Sequence, residues 1–324
     1  MTVIRDIETL KVVALAGGVG GAKLAVGLDV VLPPENLTII VNTGDDFEHF
    51  GLKICPDLDT VCYSLAGIAD ATHGWGVQGE TWQVLEQLKC LGAPTWFALG
   101  DKDLALHLER TRLLHEGIPL TEVTNNVCQK LGIRAVVLPM TDQPAPTELA
   151  LRDGGMLSFQ EYFVRDKFEP VIARVILPDP TNILAQDQAI NALEQADLVL
   201  ICPSNPWVSI DPILNVPPFR VLVEAKTVIA VSPIINGAAL KGPAAKMFAE
   251  LGIEPSAGSV LEHYAGLIDG FVYDQSETQR LTTKSAKGII IRKTNTIMKE
   301  ANDKADLARF MLEFGLELRG HSRR

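Results

Sequence analysis

Val12-Val13-Ala14-Leu15-Ala16 runs directly into Gly17-Gly18-Val19-Gly20-Gly21, and a helix-forming stretch, Ala22 to Leu28, follows. Five apolar residues in a row read as a buried strand. Glycines behind a strand let the backbone come close to an anion, and the helix start beyond them offers free N–H groups and a partial positive charge. Leu37 to Val41 is a second apolar run, so the chain opens with a βαβ unit. The right-handed crossover makes its strands parallel and puts the segments after Ala16 and Val41 at one sheet edge, where open α/β sheets bind ligands.

Outward from there, Pro56 to Gly132 is mainly helical. Leu58, Val61, Cys62 and Leu65 fall at i, i+3, i+4 and i+7, with Asp57 placed to cap that helix. Helices are also expected over Thr81 to Leu91, Asp103 to Glu116 and Thr121 to Leu131, with a strand at Thr95 to Leu99. Arg134 to Leu138 reads as a strand. Pro139 to Pro180, with its prolines and an Asp153-Gly154-Gly155 turn, reads as an irregular excursion carrying a hairpin. The α/β rhythm then resumes: helix Asn182 to Gln195, strands Leu198 to Ile201 and Thr227 to Val231, helix Pro243 to Leu251, strands Phe271 to Tyr273 and Gly288 to Ile291, and a helix capped by Asp303 before a frayed tail from Arg319. The expected fold is α/β: a Rossmann-like, mainly parallel sheet forming one nucleotide-binding unit over residues 1–324. A helical subdomain, residues 56–132, is inserted after the second strand, and the excursion covers 139–180.

With 324 residues, 47% apolar and 21% charged, the chain buries a sizeable core and is not disordered. Its net charge of -11 excludes non-specific attraction to nucleic acid or an anionic membrane, so any phosphate must be gripped locally. Five scattered cysteines without a CxxC pair give neither a disulfide framework nor a zinc knuckle, and Cys62 reads as a core thiol. There is no apolar run of membrane-spanning length and no signal-peptide core near the start, so a cytoplasmic protein is expected.

The glycine cluster fits neither standard nucleotide motif. GxGxxG would need glycine at Lys23, and a P-loop would need Gly-Lys-Ser/Thr where the chain has Ala22-Lys23-Leu24. The first mismatch counts against a nicotinamide-dependent dehydrogenase and the second against a kinase. Phosphate binding is favoured by the position at the sheet edge over an unliganded turn. Asn42-Thr43-Gly44-Asp45-Asp46 and Asp57-Leu58-Asp59 place two carboxylate pairs near that turn. They suit Mg²⁺, which takes one or two carboxylates plus substrate phosphates, although Asp57 also fits a cap and one acid would suit a ribose hydroxyl. Asp59, off the apolar stripe, is expected to be free to face a ligand. Gly100-Asp101-Lys102-Asp103 offers a lysine between carboxylates, or an N-cap beside a solvated lysine. Pro203-Ser204-Asn205-Pro206 and Ser232-Pro233-Ile234-Ile235-Asn236-Gly237 follow strands with stiff polar turns suited to base or ribose recognition, or to turn chemistry alone. Trp75, between Gly74 and Gly76, belongs to no helical stripe and suits a flat-ring pocket.

Taken in order from about residue 12 to 274, these segments together resemble the CofD/FbiA family, the 2-phospho-L-lactate transferases of deazaflavin coenzyme F420 synthesis. The resemblance implies transfer of a three-carbon phospho-acid from a guanosine-diphospho donor to a hydroxyl of the deazaflavin precursor FO. GMP would be released and Mg²⁺ required, and the protein would be a homodimer. Carried over residue by residue, Gly17, Gly18, Gly20, Gly21 and Lys23 would hold the diphosphate beside Thr43 and Gly44. Asp45 and Asp59 would bind the metal, Asp59 with Lys102 would face FO, and Ser204, Asn205, Ser232 and Asn236 would surround the guanosine. Two departures stand out: Lys102 replaces the family's usual arginine, and Asp211 an ordinary glycine. The alternative is a non-enzymatic nucleotide-sugar-binding regulator of the related gluconeogenesis-factor family. Those proteins carry an Asp-Asp-Gly-Gly-Ser-Ser type segment where this chain has Asp45-Asp46-Phe47-Glu48.

Overall fold

Seven short runs dominated by Val, Ile and Leu form the central sheet of the computed structural model. It describes residues 6–322 apart from 71, 73, 240–243, 279, 280 and 282–287. The strands are β1 (Val12–Ala16), β2 (Leu37–Val41), β3 (Val136–Pro139), β4 (Leu198–Ile201), β5 (Thr227–Val231), β6 (Gly270–Asp274) and β7 (Ile290–Thr294). Every pairing is parallel, and the order across the sheet is β7-β6-β5-β4-β1-β2-β3. That is the Rossmann order with one strand added, so the switch point lies between β1 and β4. β1 sits inside the sheet with Val12 in register with both Leu37 and Leu198. Both of its faces are covered, which is why its sequence is continuously apolar rather than alternating. Val12, Ala14 and Ala16 enter one core and Val13 and Leu15 the other.

The helices are α1 (Gly18–Val31), α2 (Pro56–Leu65), α3 (Gln83–Cys90), α4 (Asp101–His115), α5 (Leu120–Lys130), α6 (Asp187–Gln195) and α7 (Ala301–Ser322). Shorter helices occur at Asp211–Leu214, Phe219–Glu224, Ala244–Glu250 and Ala257–His263. Residues of α1, α2 and α7 fill the first core; α6 and the shorter helices fill the second. Cys62 is indeed a buried core thiol, its sulfur 3.8 Å from that of Cys128.

Several expectations are corrected. No strand forms at residues 95–99: Trp96 and Phe97 pack on Phe47, outside the main sheet. α1 begins at Gly18, so the glycines after Gly17 form its first turn rather than a loop before it. α6 starts at Asp187 after a separate turn at Pro180–Asn182. α7 continues to Ser322 instead of fraying from Arg319; residues 323 and 324 lie outside the described residues. A hairpin, Phe47–His49 with Leu52–Ile54, follows the Asp45-Asp46 turn. Asp153-Gly154-Gly155 turns between Glu148–Leu151 and Met156–Ser158, and Ile172–Ile176 pairs as a third antiparallel strand. This small sheet is fixed to Ala244–Glu250: Lys246 donates to the Pro170 carbonyl (3.1 Å) and Arg152 to the Glu250 carbonyl (2.9 Å). Among the described residues no helix is long and apolar enough to cross a membrane.

Candidate active site

A cavity of about 700 Å³ opens where the β1 and β4 ends meet the two inserted stretches. Gly17, Gly18, Val19 and Gly20 line it together with Asp45, Asp57 and Asp59, so the turns after β1 and β2 and the start of α2 do converge on one space. Two features hold the first turn of α1 open to it. A Cβ on Gly20 would collide with the Pro203 carbonyl oxygen, so only glycine permits this approach of α1 to the segment after β4. Gly18 has φ +61, which ordinary side chains resist. Ser204 Oγ accepts from the Gly17 amide (3.0 Å) and donates to its carbonyl (2.8 Å).

Asp57 is a cap, though not of its own helix. It lies in the first turn of α2, and its Oδ1 accepts from the Gly18 amide (2.7 Å) while Oδ2 accepts from Asn42 Nδ2 (2.9 Å). A carboxylate at the start of α1 is stabilised by the helix dipole, and Gly17 has no side chain to do this work. Burial nevertheless pushes the Asp57 carboxyl up to about 6 against the pull of these hydrogen bonds.

Asp45 is presented by a turn in which the Gly44 amide donates to Asn42 Oδ1 (2.8 Å) and the Gly44 carbonyl accepts from the Thr147 amide (2.8 Å). Thr43 and Gly44 shape that turn and do not line the cavity. Asp45 Oδ1 is buried with no hydrogen-bond partner. Desolvation, followed by repulsion from Asp57, holds its carboxyl well above the usual range. A buried carboxylate oxygen lacking a cation is the condition a divalent ion relieves, and hard oxygen donors suit Mg²⁺.

Asp59 is not free, contrary to the sequence expectation. Arg110 of α4 grips both its oxygens, with Arg110 Nη1 at 3.1 Å from Oδ2 and Nη2 against Oδ1. His107 Nδ1 lies 3.7 Å from Asp59 and its Nε2 3.3 Å from Asp103, and the Tyr63 hydroxyl donates to Asp103 (2.6 Å). All five residues are buried, His107 to 1% exposure. Burial opposes the Asp103 charge, yet the neighbouring His107 ring, then the Tyr63 hydroxyl, hold its carboxyl below the usual range. Asp59, Asp103 and His107 offer ligand atoms within 4.8 Å of one another, but Arg110 already supplies the positive charge there. Sequence analysis missed Arg110, His107 and Tyr63. Asp103, His107 and Arg110 fall at i, i+4 and i+7, a polar stripe on one face of α4 that spacing alone exposes.

The remaining expected residues divide. Lys23, Trp75, Ser204, Asn205 and Ser232 line the cavity. Lys23 Nζ donates to the Met298 carbonyl (2.8 Å). Asn205 Oδ1 accepts from the Trp207 amide (3.1 Å), starting a π-helical turn at Pro206–Ile210. Gly21, Lys102 and Asn236 lie outside the lining. Gly21 packs against Ser204, Lys102 Nζ donates to the Gln78 carbonyl (2.8 Å), and Asn236 is tied to Glu277 and Ser276. The unusual Asp211 accepts from His263 Nε2 (2.9 Å), joining two short helices.

The family model described as 2-phospho-L-lactate transferase CofD matches residues 12–308. A phosphoenolpyruvate transferase of Streptomyces coelicolor is 38% identical, covering 96% of this chain and 99% of that protein. One from Thermobifida fusca is also 38% identical, over 97% and 100%. A 2-phospho-L-lactate transferase of Methanosarcina mazei is 34% identical, over 93% and 99%. Among solved structures, a UPF0052-family protein from Bacillus halodurans aligns with a TM-score of 0.60 at 16% identity, covering 93% of this chain and 99% of that one, which is a likeness of fold.

Proposed function

The chain belongs to the CofD family of 2-phospho-L-lactate transferases, and from that premise we propose that it transfers a phospho-linked three-carbon acid from a guanosine-diphospho donor to the ribityl hydroxyl of FO, releasing GMP. The observation carrying this reading is the cavity lined by the α1 start, by Asp45 with its unpartnered Oδ1, and by aromatic residues of both inserted stretches, Trp75, Trp96 and Phe97 from one and Phe159, Phe163 and Phe168 from the other. It is large enough for two substrates to meet. The three-carbon unit in this reading is enolpyruvate. The two relatives named phosphoenolpyruvate transferase share 38% identity with the chain, against 34% for the Methanosarcina mazei protein.

In the reaction, the ribityl oxygen forms a bond to the phosphorus that carries the three-carbon unit, the bond from that phosphorus to the bridging oxygen breaks, and GMP leaves. The free amides at the start of α1 and Lys23 orient and neutralise the diphosphate. Asp45 would hold Mg²⁺, and Asp59, whose two oxygens Arg110 occupies, would orient that site rather than ligate the ion. When bound, the ion supplies charge neutralisation on the diphosphate. Arg110 occupies both Asp59 oxygens, so Asp59 fixes position, and the hydroxyl proton leaves late in the step, to the departing phosphate oxygen of GMP. The protein acts in this reading as a cytoplasmic homodimer.

Incubation with FO and guanosine-diphospho-linked enolpyruvate, lactate or glycerate, followed by mass spectrometry, tests the proposal. The expected result is one GMP per product, fastest with the enolpyruvate donor. Nucleotide binding without GMP release from any donor would instead favour the regulatory alternative.

A further inference from the structure

Cys62 and Cys128 lie outside the cavity, and the transfer makes no use of them. All five cysteines are free thiols. Among the described residues these are the two whose sulfurs touch, 3.8 Å apart. They come from different helices, Cys62 from the last turn of α2 and Cys128 from the last turn of α5. Leu58, Val61, Leu120 and Val137 share their core cluster, so packing keeps the sulfurs in contact. The bond between the two thiols makes them unequal. Accepting from Cys62 holds the Cys128 thiol below its ordinary range against the effect of burial, whereas the same bond and burial push Cys62 well up. Cys128 is therefore the sulfur that ionises first, and the thiolate is the form that attacks an oxidant. The other buried thiols lack such a partner: Cys55 donates to Asp46 Oδ2 (3.1 Å), and desolvation pushes Cys202 up to about 12.

Helix α2 also carries groups that the site uses. Asp57, in its first turn, accepts from the Gly18 amide (2.7 Å). Asp59, one turn before Cys62, is held by Arg110, and Tyr63, directly after it, donates to Asp103. A disulfide needs its sulfurs about 2.0 Å apart, so the pair must close by about 1.8 Å from its present separation. Packed helices answer such a pull by shifting as units.

We propose that Cys62 and Cys128 are a modification site for a small hydroperoxide, which oxidises them to an intramolecular disulfide that shifts α2 and loosens its cap on α1. With hydrogen peroxide, the Cys128 thiolate attacks one oxygen and the O–O bond breaks. The hydroxide released takes up the Cys128 proton as water, leaving a sulfenic acid. The Cys62 sulfur then attacks the Cys128 sulfur: the S–S bond forms, the S–O bond breaks, and the departing hydroxide takes the Cys62 proton as a second water. Two thiols are oxidised and the peroxide receives their two electrons. Both residues are buried, a setting that favours a small uncharged oxidant over a bulky charged disulfide.

The test uses the full chain carrying Cys90→Ser, which removes the exposed thiol of α3. It is treated with hydrogen peroxide, denatured, alkylated and mapped by mass spectrometry. The expected result is a linked peptide pair joining Cys62 to Cys128, with Cys55 and Cys202 alkylated and full reversal by dithiothreitol. Hydrogen exchange in the first turn of α1 is expected to rise about tenfold on oxidation and to return on reduction. Cys128→Ala should leave Cys62 reduced and that exchange unchanged under peroxide. Oxidised and re-reduced Cys90→Ser protein gives the same comparison should Cys128→Ala fail to fold. Absence of the link, oxidation of Cys202 at the same peroxide concentration, or a link that leaves exchange in α1 unchanged would overturn the proposal. Neither readout involves turnover, so the outcome is independent of the transferase reading.

Discussion

At residue scale Asp59 and Asp45 behave differently, because Asp59 has a counter-ion in Arg110 whereas Asp45 Oδ1 has no partner among the described residues. Asp59→Asn keeps the shape of the side chain but leaves the Arg110 guanidinium buried without its partner, a change that costs roughly 3–5 kcal/mol. Turnover is expected to fall by orders of magnitude and the melting temperature with it. The pair Asp59→Asn/Arg110→Met should recover stability in a urea titration without recovering turnover; recovery of both would remove Asp59 from the site. Asp45→Asn should do the opposite to stability. Burial raises the Asp45 carboxyl, so the folded chain holds that proton more tightly than the unfolded chain. The carboxyl therefore favours folding at acid pH, and the advantage is lost as pH climbs from the ordinary carboxylate range through the raised value. Metal-free Asp45→Asn is thus expected to gain stability over wild type progressively as pH rises above the ordinary carboxylate range. Added Mg²⁺ should narrow the gap, and a pH-independent difference would contradict the assignment.

At the scale of elements, α1 is where packing and binding meet. Its two ends carry glycines that admit neighbouring backbone: Gly20 faces the Pro203 carbonyl and Gly27 that of Lys304 in α7. Alanine at either position overpacks the contact at a cost of about 1–3 kcal/mol. Only Gly20→Ala displaces the amides that face the cavity, so it alone is expected to abolish GMP binding by calorimetry. Gly27→Ala should lower the melting temperature and leave affinity within about twofold, as expected of a change at a packing-only contact. Equal losses of affinity would mean that α1 does not itself bind phosphate. The glycine run and strand β1 were legible from sequence as a strand-to-helix junction, but the cap was not. Asp57 looked like the cap of α2 because adjacency is all that sequence displays, whereas the unmet amide lay at Gly18, 39 residues away.

For the whole molecule, the cavity depends on both inserted stretches reaching the sheet edge, since residues of each line it. Binding of GMP with Mg²⁺ should therefore slow hydrogen exchange in the first turns of α1 and α2 and, at the same ligand concentration, across residues 159–168. Protection confined to the sheet edge would show that the stretch from Phe159 to Phe168 takes no part. Thr95–Leu99 illustrates a limit of local pattern at this scale. Its apolar residues satisfy a strand template, yet Trp96 and Phe97 are spent on an aromatic cluster with Phe47 and on the cavity wall.

The sequence alone determined the parallel α/β sheet, the glycine-bearing junction after β1 and the acidic turns near it, because periodicity and turn chemistry are encoded within a few neighbouring residues. The family also followed from those motifs taken in order. Only the tertiary structure decided that Arg110 occupies Asp59, that Asp57 serves α1, that Lys102 and Asn236 stay outside the cavity, and that Cys62 meets Cys128. Each of these depends on which distant group a charge or amide meets. Desolvation makes that partner matter most where the chain is buried.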